Sequence, residues 1–144
     1  MAVTFDSNLS EVEAAVLTHR LTAYNRVHAP VPVATPEESC PLRIAMRSSE
    51  GALVGGLVGR THAIPFWLEI TVLWIDDVVR GQGLGRWLVE QAEQEARRRG
   101  CRFARVATSD YQAPHFYMKL GYAQYGLLED CPPGETVYYL HKDL

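Results

Sequence analysis

The chain has few cysteines, and none of them are paired in a spacing typical of metal binding or redox chemistry. Cys40, Cys101 and Cys131 make an odd number at long intervals, and no CxxC motif occurs. A disulfide framework and a zinc site are therefore not expected. The five histidines are scattered and form neither HExxH nor HxH, so the sequence predicts no bound metal.

Long apolar runs and an excess of positive charge are also missing. No apolar stretch approaches the roughly 18 residues that a membrane-spanning helix needs. No basic segment followed by an apolar run stands at the N-terminus, so no signal peptide is expected. With 14 basic and 17 acidic residues the net charge is −3, which does not favour a nucleic-acid partner. These absences predict a protein of the reduced cytoplasm without a membrane or nucleic-acid partner.

The composition is that of a globular protein. Hydrophobic residues make up 47% of the chain and charged residues 22%, which is typical of a folded domain. The length of 144 residues is enough to bury a core but leaves little room for a second domain. The sequence therefore predicts one domain over residues 1–144.

Hydrophobic periodicity predicts an α/β fold. Helices are predicted from Ser7 or Asn8 to about Tyr24, over 83–99 and over 113–120. Strands are predicted over 3–6, 42–46, 52–59, 68–75, 103–108, 122–128 and 136–141. A connection with four prolines joins the first helix to the second strand, and proline makes it irregular.

The strand at 68–75 is the most apolar. Its nearly continuous apolar run predicts a strand buried on both faces. The helix at 83–99 lies between this strand and the one at 103–108, which makes the two strands parallel neighbours. The last two strands are expected to close the sheet as an antiparallel pair.

Three alternating glycines, Gly81, Gly83 and Gly85, lie between that apolar strand and the helix after it. Glycine lets the backbone turn sharply and approach a ligand without a Cβ in the way. The unpaired N–H groups and the dipole of a helix N-terminus form an anion site, to which Arg80 and Arg86 add positive charge. The pattern is neither the dinucleotide GxGxxG nor a P-loop, since no Lys-Ser or Lys-Thr follows.

Two segments together resemble the GCN5-related N-acetyltransferases, the GNAT superfamily. Arg80, Gly83 and Gly85 form RxxGxG directly after the buried strand. Residues 110–122 resemble the family's later motif NxxAxxxYxKLGF, and the matching positions are Ala113, Tyr117, Lys119, Leu120, Gly121 and Tyr122. Asp110 departs from it, because many members have asparagine there. The resemblance is sharp from about 69 to 122 and general in layout elsewhere.

This resemblance implies the GNAT fold, with a central, mostly antiparallel sheet, one parallel strand pair and flanking helices. It also implies acetyl-CoA as the acyl donor, with the pyrophosphate in the glycine turn and the pantetheine arm on a strand edge freed after a bulge. The implied cofactor-binding residues are Leu73, Trp74, Ile75, Arg80, Gly81, Gln82, Gly83, Leu84, Gly85, Arg86 and Asp110. An aspartate at position 110 lacks the amide donor of asparagine and adds negative charge near an anionic cofactor.

Acetyl transfer from a thioester to an amine makes three chemical demands. The amine must lose its proton, since an alkyl ammonium with a pKa near ~10.4 has no lone pair for attack. The thioester oxygen needs hydrogen-bond donors, which the backbone at 73–75 is expected to supply. The leaving thiolate benefits from an acid. The resemblance implies Tyr117 for that role, because it matches the family tyrosine near the cofactor sulfur.

Glu69 is the leading candidate for the base. It lies eleven residues before Arg80, which matches the glutamate base in the histone-acetylating branch of the family. Burial in an apolar strand would raise the pKa of this carboxyl. Asp76 and Asp77, at the end of the strand where ligands of open sheets gather, and water remain alternatives. Cys131 as a nucleophile is disfavoured, because direct transfer needs no covalent intermediate.

The acceptor half of the site is less defined by the sequence. The first helix, the proline-rich connection and the turn at 62–67 are expected to form it, with Tyr24, His28, Phe66 and Trp67 as lining. The acceptor is predicted to be a primary amine of a small molecule or a peptide. A different acyl donor, an O-acceptor and a non-catalytic acyl-CoA sensor or interaction module remain open, and a homodimer is compatible with the sequence.

Overall fold

The structure is a computed structural model that describes residues 4, 6–30, 39–63 and 66–144. Its helices are α1 (Glu11–His28), α2 (Leu84–Arg98) and α3 (Pro114–Lys119). Its strands are β1 (Ser39–Arg47), β2 (Leu53–His62), β3 (Trp67–Ile75), β4 (Phe103–Ser109), β5 (Ala123–Leu128) and β6 (Val137–Asp143). Residues 3 and 5 of the strand predicted at 3–6, and most of the proline-rich connection, lie outside the described residues.

The strands form one sheet of six strands in the order β1-β2-β3-β4-β6-β5. The pair β3–β4 is parallel, and the other four neighbouring pairs are antiparallel. The helix α2 connects the two parallel strands. The predicted mixed sheet, its parallel pair and its closing antiparallel pair are thereby confirmed.

The core lies between α2, α3 and one face of the sheet. Helix α2 packs on β1, β2 and β3, while α3 contacts β6. The apolar residues of α2 recur on one side, and they are fully buried at Leu88, Val89, Ala92 and Ala96. Leu57, Leu68 and Leu140 meet them from the sheet. This packing holds the N-terminus of α2 beside the end of β3.

Helix α1 begins later than the sequence suggested. Its N-cap is Ser10, whose hydroxyl accepts a hydrogen bond from the Glu13 amide while the Glu13 carboxylate accepts one from the Ser10 amide. This reciprocal capping satisfies two amides that the helix leaves unpaired, which Ser7 and Asn8 do not do here. None of the residues of α1 is buried, and Val12 and Leu21 are 74% and 61% exposed. The helix prediction is confirmed, but its apolar stripe does not face a core.

The prediction that β3 is buried on both faces is wrong. Leu68 and Ile70 are buried, whereas Val72 and Trp74 are 50% and 46% exposed. Helix α2 covers only the face of the sheet that carries Leu68 and Ile70. The opposite face is called the open face here, and its side chains include Arg43, Val58, Glu69, Val72, Trp74, Phe103 and Arg105. None of the described helices is both long enough and apolar enough to cross a bilayer.

Candidate functional site

The strands β3 and β4 part at a fork. They pair from Trp67 opposite Phe103 to Ile70 opposite Val106 and no further. At that point the register of β3 against β2 shifts, so that Thr71 is an extra residue of the kind that makes a β-bulge and bends a strand. The Thr71 hydroxyl donates to the Val58 carbonyl at 3.0 Å. Residues 73–75 continue to pair with β2 but have no strand partner on the β4 side.

A cavity of about 570 Å³ lies where the fork opens. This fork cavity is lined by the end of β3, the glycine turn, the first turn of α2 and α3. The lining residues are Leu73, Trp74, Ile75, Val79, Arg80, Gly81, Gly83, Leu84, Gly85, Arg86, Gln112, Ala113, Phe116, Lys119 and Leu120. It therefore brings together the predicted cofactor residues other than Gln82 and Asp110.

The glycine turn presents unpaired amides to the fork cavity. Gly81 and Gly83 have φ angles of +79° and +78°, which residues with a Cβ rarely adopt. A Cβ added at either glycine would meet nothing within 4 Å, so it would enter free space. Gly83 caps α2 without a side-chain cap, and the first bond inside the helix runs from the Trp87 amide to the Gly83 carbonyl at 3.1 Å. The three amides before Trp87 thus remain available to an anion.

Gly85 serves packing rather than turning. A Cβ at this position would lie 3.3 Å from the ring of Phe116. The first turn of α2 can therefore approach α3 closely because residue 85 has no side chain. This contact sets the distance between the two helices that line the fork cavity.

Arg80 is held at the end of β3. Its Nε donates to the Ile75 carbonyl at 2.9 Å, and its guanidinium pairs with Asp77. Asp76 caps the 3₁₀ turn that follows β3 by accepting from the Val78 amide at 3.0 Å. Both aspartates that were alternatives for the base therefore hold the turn. Arg80 still exposes 60% of its side chain, so it can meet a phosphate while it stays fixed.

Asp110 faces the connection between β5 and β6 instead of the fork cavity. Its carboxylate accepts from the Thr136 amide at 3.0 Å, and its amide donates to the Thr136 carbonyl. A hydrogen bond between the side chains of Asp110 and Tyr138 raises the pKa of Tyr138. The departure from asparagine thus places an acceptor where two donors converge.

Tyr117 is buried in α3 next to the cavity-lining Phe116. Its ring meets those of Phe116 and Tyr122 edge-on, with centroid distances of 5.1 and 5.5 Å. Burial raises the pKa of Tyr117 to about 12, so its hydroxyl stays protonated at neutral pH. Tyr117 itself does not line the fork cavity.

A buried carboxylate stands behind this tyrosine pair. Glu93 of α2 accepts from the Tyr122 hydroxyl at 3.2 Å and from Lys142 Nζ at 2.9 and 2.8 Å. Burial, with the neighbouring Glu93, raises the pKa of Tyr122. The sequence did not predict this network. Its one signal was a glutamate directly after Ala92 on the inner side of α2.

Glu69 lies on the open face, not in the fork cavity. Its Oε1 accepts from Arg105 Nη2 at 3.0 Å, and its Oε2 lies 3.5 Å from His62 Nε2. The side chain is 33% exposed, so the apolar burial expected from the sequence is absent. It precedes by one residue the last paired position of β3, Ile70. The structure thus puts Glu69 and Tyr117 on opposite sides of the fork.

The open face carries a groove beside Glu69. It consists of two depressions of about 580 and 260 Å³ that share Arg105 and Tyr125, and it is called the Arg105 groove here. Its residues are Trp67, Glu69, Phe103, Ala104, Arg105, Val106, Ala107, Tyr125, Tyr139 and His141. The alternation of Phe103, Arg105 and Ala107 along β4 was the sequence signal for one wall.

Of the four residues expected to line an acceptor site, Trp67 lies in the Arg105 groove. Tyr24 and His28 stack on each other in α1, with ring centroids 3.9 Å apart. Phe66 immediately precedes β3, with a φ of +69°. Apart from Trp67 and Glu69 of β3, the groove is built from β4, β5 and β6, strands that the sequence did not connect with an acceptor.

The profile of the acetyltransferase (GNAT) family matches residues 14–122. A blasticidin-S acetyltransferase of Streptomyces morookaense is 45% identical over 95 residues, which cover 65% of this chain and 68% of the relative. An acetyltransferase of Agrobacterium fabrum is 35% identical over 101 residues, 70% of this chain and 72% of the relative. A crystal structure of a Bacillus cereus acetyltransferase superposes with a TM-score of 0.81 at 29% identity and covers 98% of both chains. The chain belongs to the GNAT acetyltransferase family.

The chain is therefore an acyltransferase that moves an acetyl group from acetyl-CoA to an amine. The fork cavity fits this donor, because free amides and Arg80 meet at one end and an unpaired strand edge lies at the other. The predictions of fold, family, enzyme class and acyl donor are confirmed.

Proposed function

We propose that this enzyme acetylates a primary amine of a small molecule, with acetyl-CoA in the fork cavity and the acceptor on the open face. The observation that carries the proposal is the fork itself. It has a turn with three unpaired helix amides on one side and a carboxylate in a groove on the other. The 45% identity to a blasticidin-S acetyltransferase supports an antibiotic-like amine as the acceptor class.

On the donor side, the backbone supplies the binding groups. The three free amides of α2 would hold the pyrophosphate, because they point their hydrogens at the ligand and lie at the positive end of the dipole. Arg80 would add a charge-assisted contact. The unpaired edge at 73–75 would bind the pantetheine arm and offer a donor to the thioester oxygen.

Two side chains would move the protons. Tyr117 stays protonated because of its pKa of about 12. Although it does not line the fork cavity, it packs against Phe116, which does, and from there it would donate to the departing sulfur. Glu69 would accept the proton that the ammonium must lose before it attacks. Its place beside the end of the β3–β4 ladder, on the face of the Arg105 groove, supports this role.

A thiol-release assay with acetyl-CoA tests the proposal. The panel contains blasticidin S, an aminoglycoside, an amino acid and a peptide with a free amine. We expect release with a small-molecule amine, and a Glu69→Gln variant with kcat reduced about 100-fold or more and an unchanged Kd for acetyl-CoA.

The matched control is Glu50→Gln, at an exposed residue in the turn between β1 and β2, and it should leave kcat unchanged. Absence of thiol release with every amine would contradict the proposed function. An unchanged kcat in the Glu69 variant would remove that residue from the role of base.

A further inference from the structure

We propose that the Arg105 groove selects acceptors that carry a planar aromatic or heteroaromatic ring, and that the guanidinium of Arg105 is the stacking surface for that ring. The inference rests on the proposed function, because it takes the open face as the acceptor side. It adds a substrate class and a specificity-determining residue.

The plane of Arg105 is fixed before any ligand arrives. Its Cζ lies 3.8 Å from the ring centroid of Trp67, so the indole covers one side of the guanidinium. Its Nη2 donates to Glu69 at 3.0 Å, which limits rotation. Arg105 nevertheless keeps 34% of its side chain exposed and lines both depressions of the groove.

A fixed, partly exposed guanidinium is a good partner for a flat ring. Guanidinium is planar and weakly hydrated, so it stacks on aromatic faces more readily than a lysine ammonium does. The second side of the plane can take a ligand ring in the way that the first side takes Trp67. A saturated ring of the same size has no π face to offer.

Other residues that line the groove are aromatic as well. Phe103 and Tyr125 are 41% and 56% exposed, and the Tyr125 ring lies 5.7 Å from that of His141 and 6.2 Å from that of Tyr139. The larger depression, of about 580 Å³, is within the size range of small-molecule sites. Because the groove also contains Glu69, a ring seated on Arg105 leaves its amine near the proposed base.

The test uses two amines that differ only in the ring. The probes are 2-phenylethylamine and 2-cyclohexylethylamine, which share the chain and the amine. Their affinity for the CoA-bound protein is measured by calorimetry. We expect the phenyl compound to bind about tenfold more tightly, as one desolvated cation–π contact allows.

Arg105→Lys keeps the charge but removes the plane, so it should reduce the tenfold preference to about twofold or less. Arg43→Lys is the matched control, because Arg43 is an exposed arginine of β1 on the same face of the sheet, and it should retain the preference. Tyr125→Leu, at an exposed wall residue, should weaken the phenyl compound at least threefold more than the cyclohexyl compound. Melting temperatures check that each variant is folded.

Equal affinity of the two probes for the wild type overturns the inference, as does failure of both to bind. A preference that survives in Arg105→Lys overturns it too. If that variant is unfolded, the Tyr125 variant decides in the same way. The thiol-release panel distinguishes a failure of this inference from a failure of the proposed function. Release without an aromatic preference overturns only this inference, whereas no release with any amine and no acetyl-CoA-induced rise in melting temperature contradict the proposed function.

Discussion

Replacing Gly83 with alanine would separate backbone strain from ligand binding in the glycine turn. Gly83 is the N-cap of α2, with a φ of +78°. A Cβ there meets nothing within 4 Å in the protein, so the folded chain suffers conformational strain without a clash. In the complex, however, the methyl group would enter the space in front of the helix amides that we assign to the pyrophosphate.

The two effects have different sizes. A left-handed conformation costs an alanine about 1–2 kcal/mol. For 144 residues the entropy of unfolding is about 0.30 kcal/mol/K, so the melting temperature should fall by roughly 3–7 °C. Displacing a phosphate oxygen from one amide removes a hydrogen bond to a charged group, worth about 1.5–3 kcal/mol. The Kd for acetyl-CoA should then rise about 10- to 150-fold.

Gly51→Ala is the matched control. Gly51 has a φ of +87° and likewise no neighbour within 4 Å of an added Cβ, but it lies in the turn between β1 and β2. Calorimetric titration with acetyl-CoA and thermal unfolding should give the same loss of melting temperature in both variants and a weaker Kd only in Gly83→Ala. An unchanged Kd in that variant would refute the assignment of the turn to the pyrophosphate.

Three further outcomes are expected. Tyr117→Phe should lower kcat more than it weakens acetyl-CoA binding. Because the pKa of Tyr117 is about 12, ionisation of Tyr117 should cause no loss of wild-type kcat below about pH 10. A variant with the same kcat as the wild type would remove Tyr117 from the acid role. Glu93→Gln leaves Lys142, 2.8 Å away, facing a neutral amide inside the protein. Denaturant unfolding should therefore show that the free energy of unfolding falls by about 3–5 kcal/mol. A decrease below about 1 kcal/mol would mean that the pair is solvated. Hydrogen bonds from Arg98 and Arg99 lower the pKa of Glu95 to about 2, so its stabilisation is present above pH 4.5 and is lost as the pH falls toward 2. Wild type and Glu95→Gln should therefore differ in melting temperature at about pH 6 and converge at low pH, and a constant difference would contradict the assignment.

The donor half of the site could be predicted from short stretches of the sequence. The glycines at 81, 83 and 85 allow a turn that few other residues can adopt. The apolar spacing of α2 indicates a helix regardless of what the helix packs against. The parallel pairing of β3 and β4 followed from one helical crossover between two strands. Element ends were less accurate, since Ser10 rather than Ser7 or Asn8 caps α1, and capping depends on which side chain reaches an amide.

The acceptor half of the site could not be predicted from short stretches of the sequence. The Arg105 groove draws its walls from β3, β4, β5 and β6, and β6 reaches its place only because it inserts between β4 and β5. Trp67 and His141 are far apart in sequence, and no motif relates them. The pairing of Glu69 with Arg105 likewise depends on the parallel register, which places them directly opposite each other.

The sequence by itself determined the fold class and the position of the glycine turn, because short-range backbone conformation and hydrophobic period are encoded within a few residues. Its resemblance to the GNAT family implied the acyl donor. The tertiary structure alone decided which side of the fork each chemical group occupies. Side chains in a strand alternate between two faces, and the extra residue at Thr71 shifts that alternation. Glu69, Val72 and Trp74 consequently share the open face, while Leu73 and Ile75 lie on the opposite face. The fork cavity, at the end of the strand, is lined by Leu73, Trp74 and Ile75.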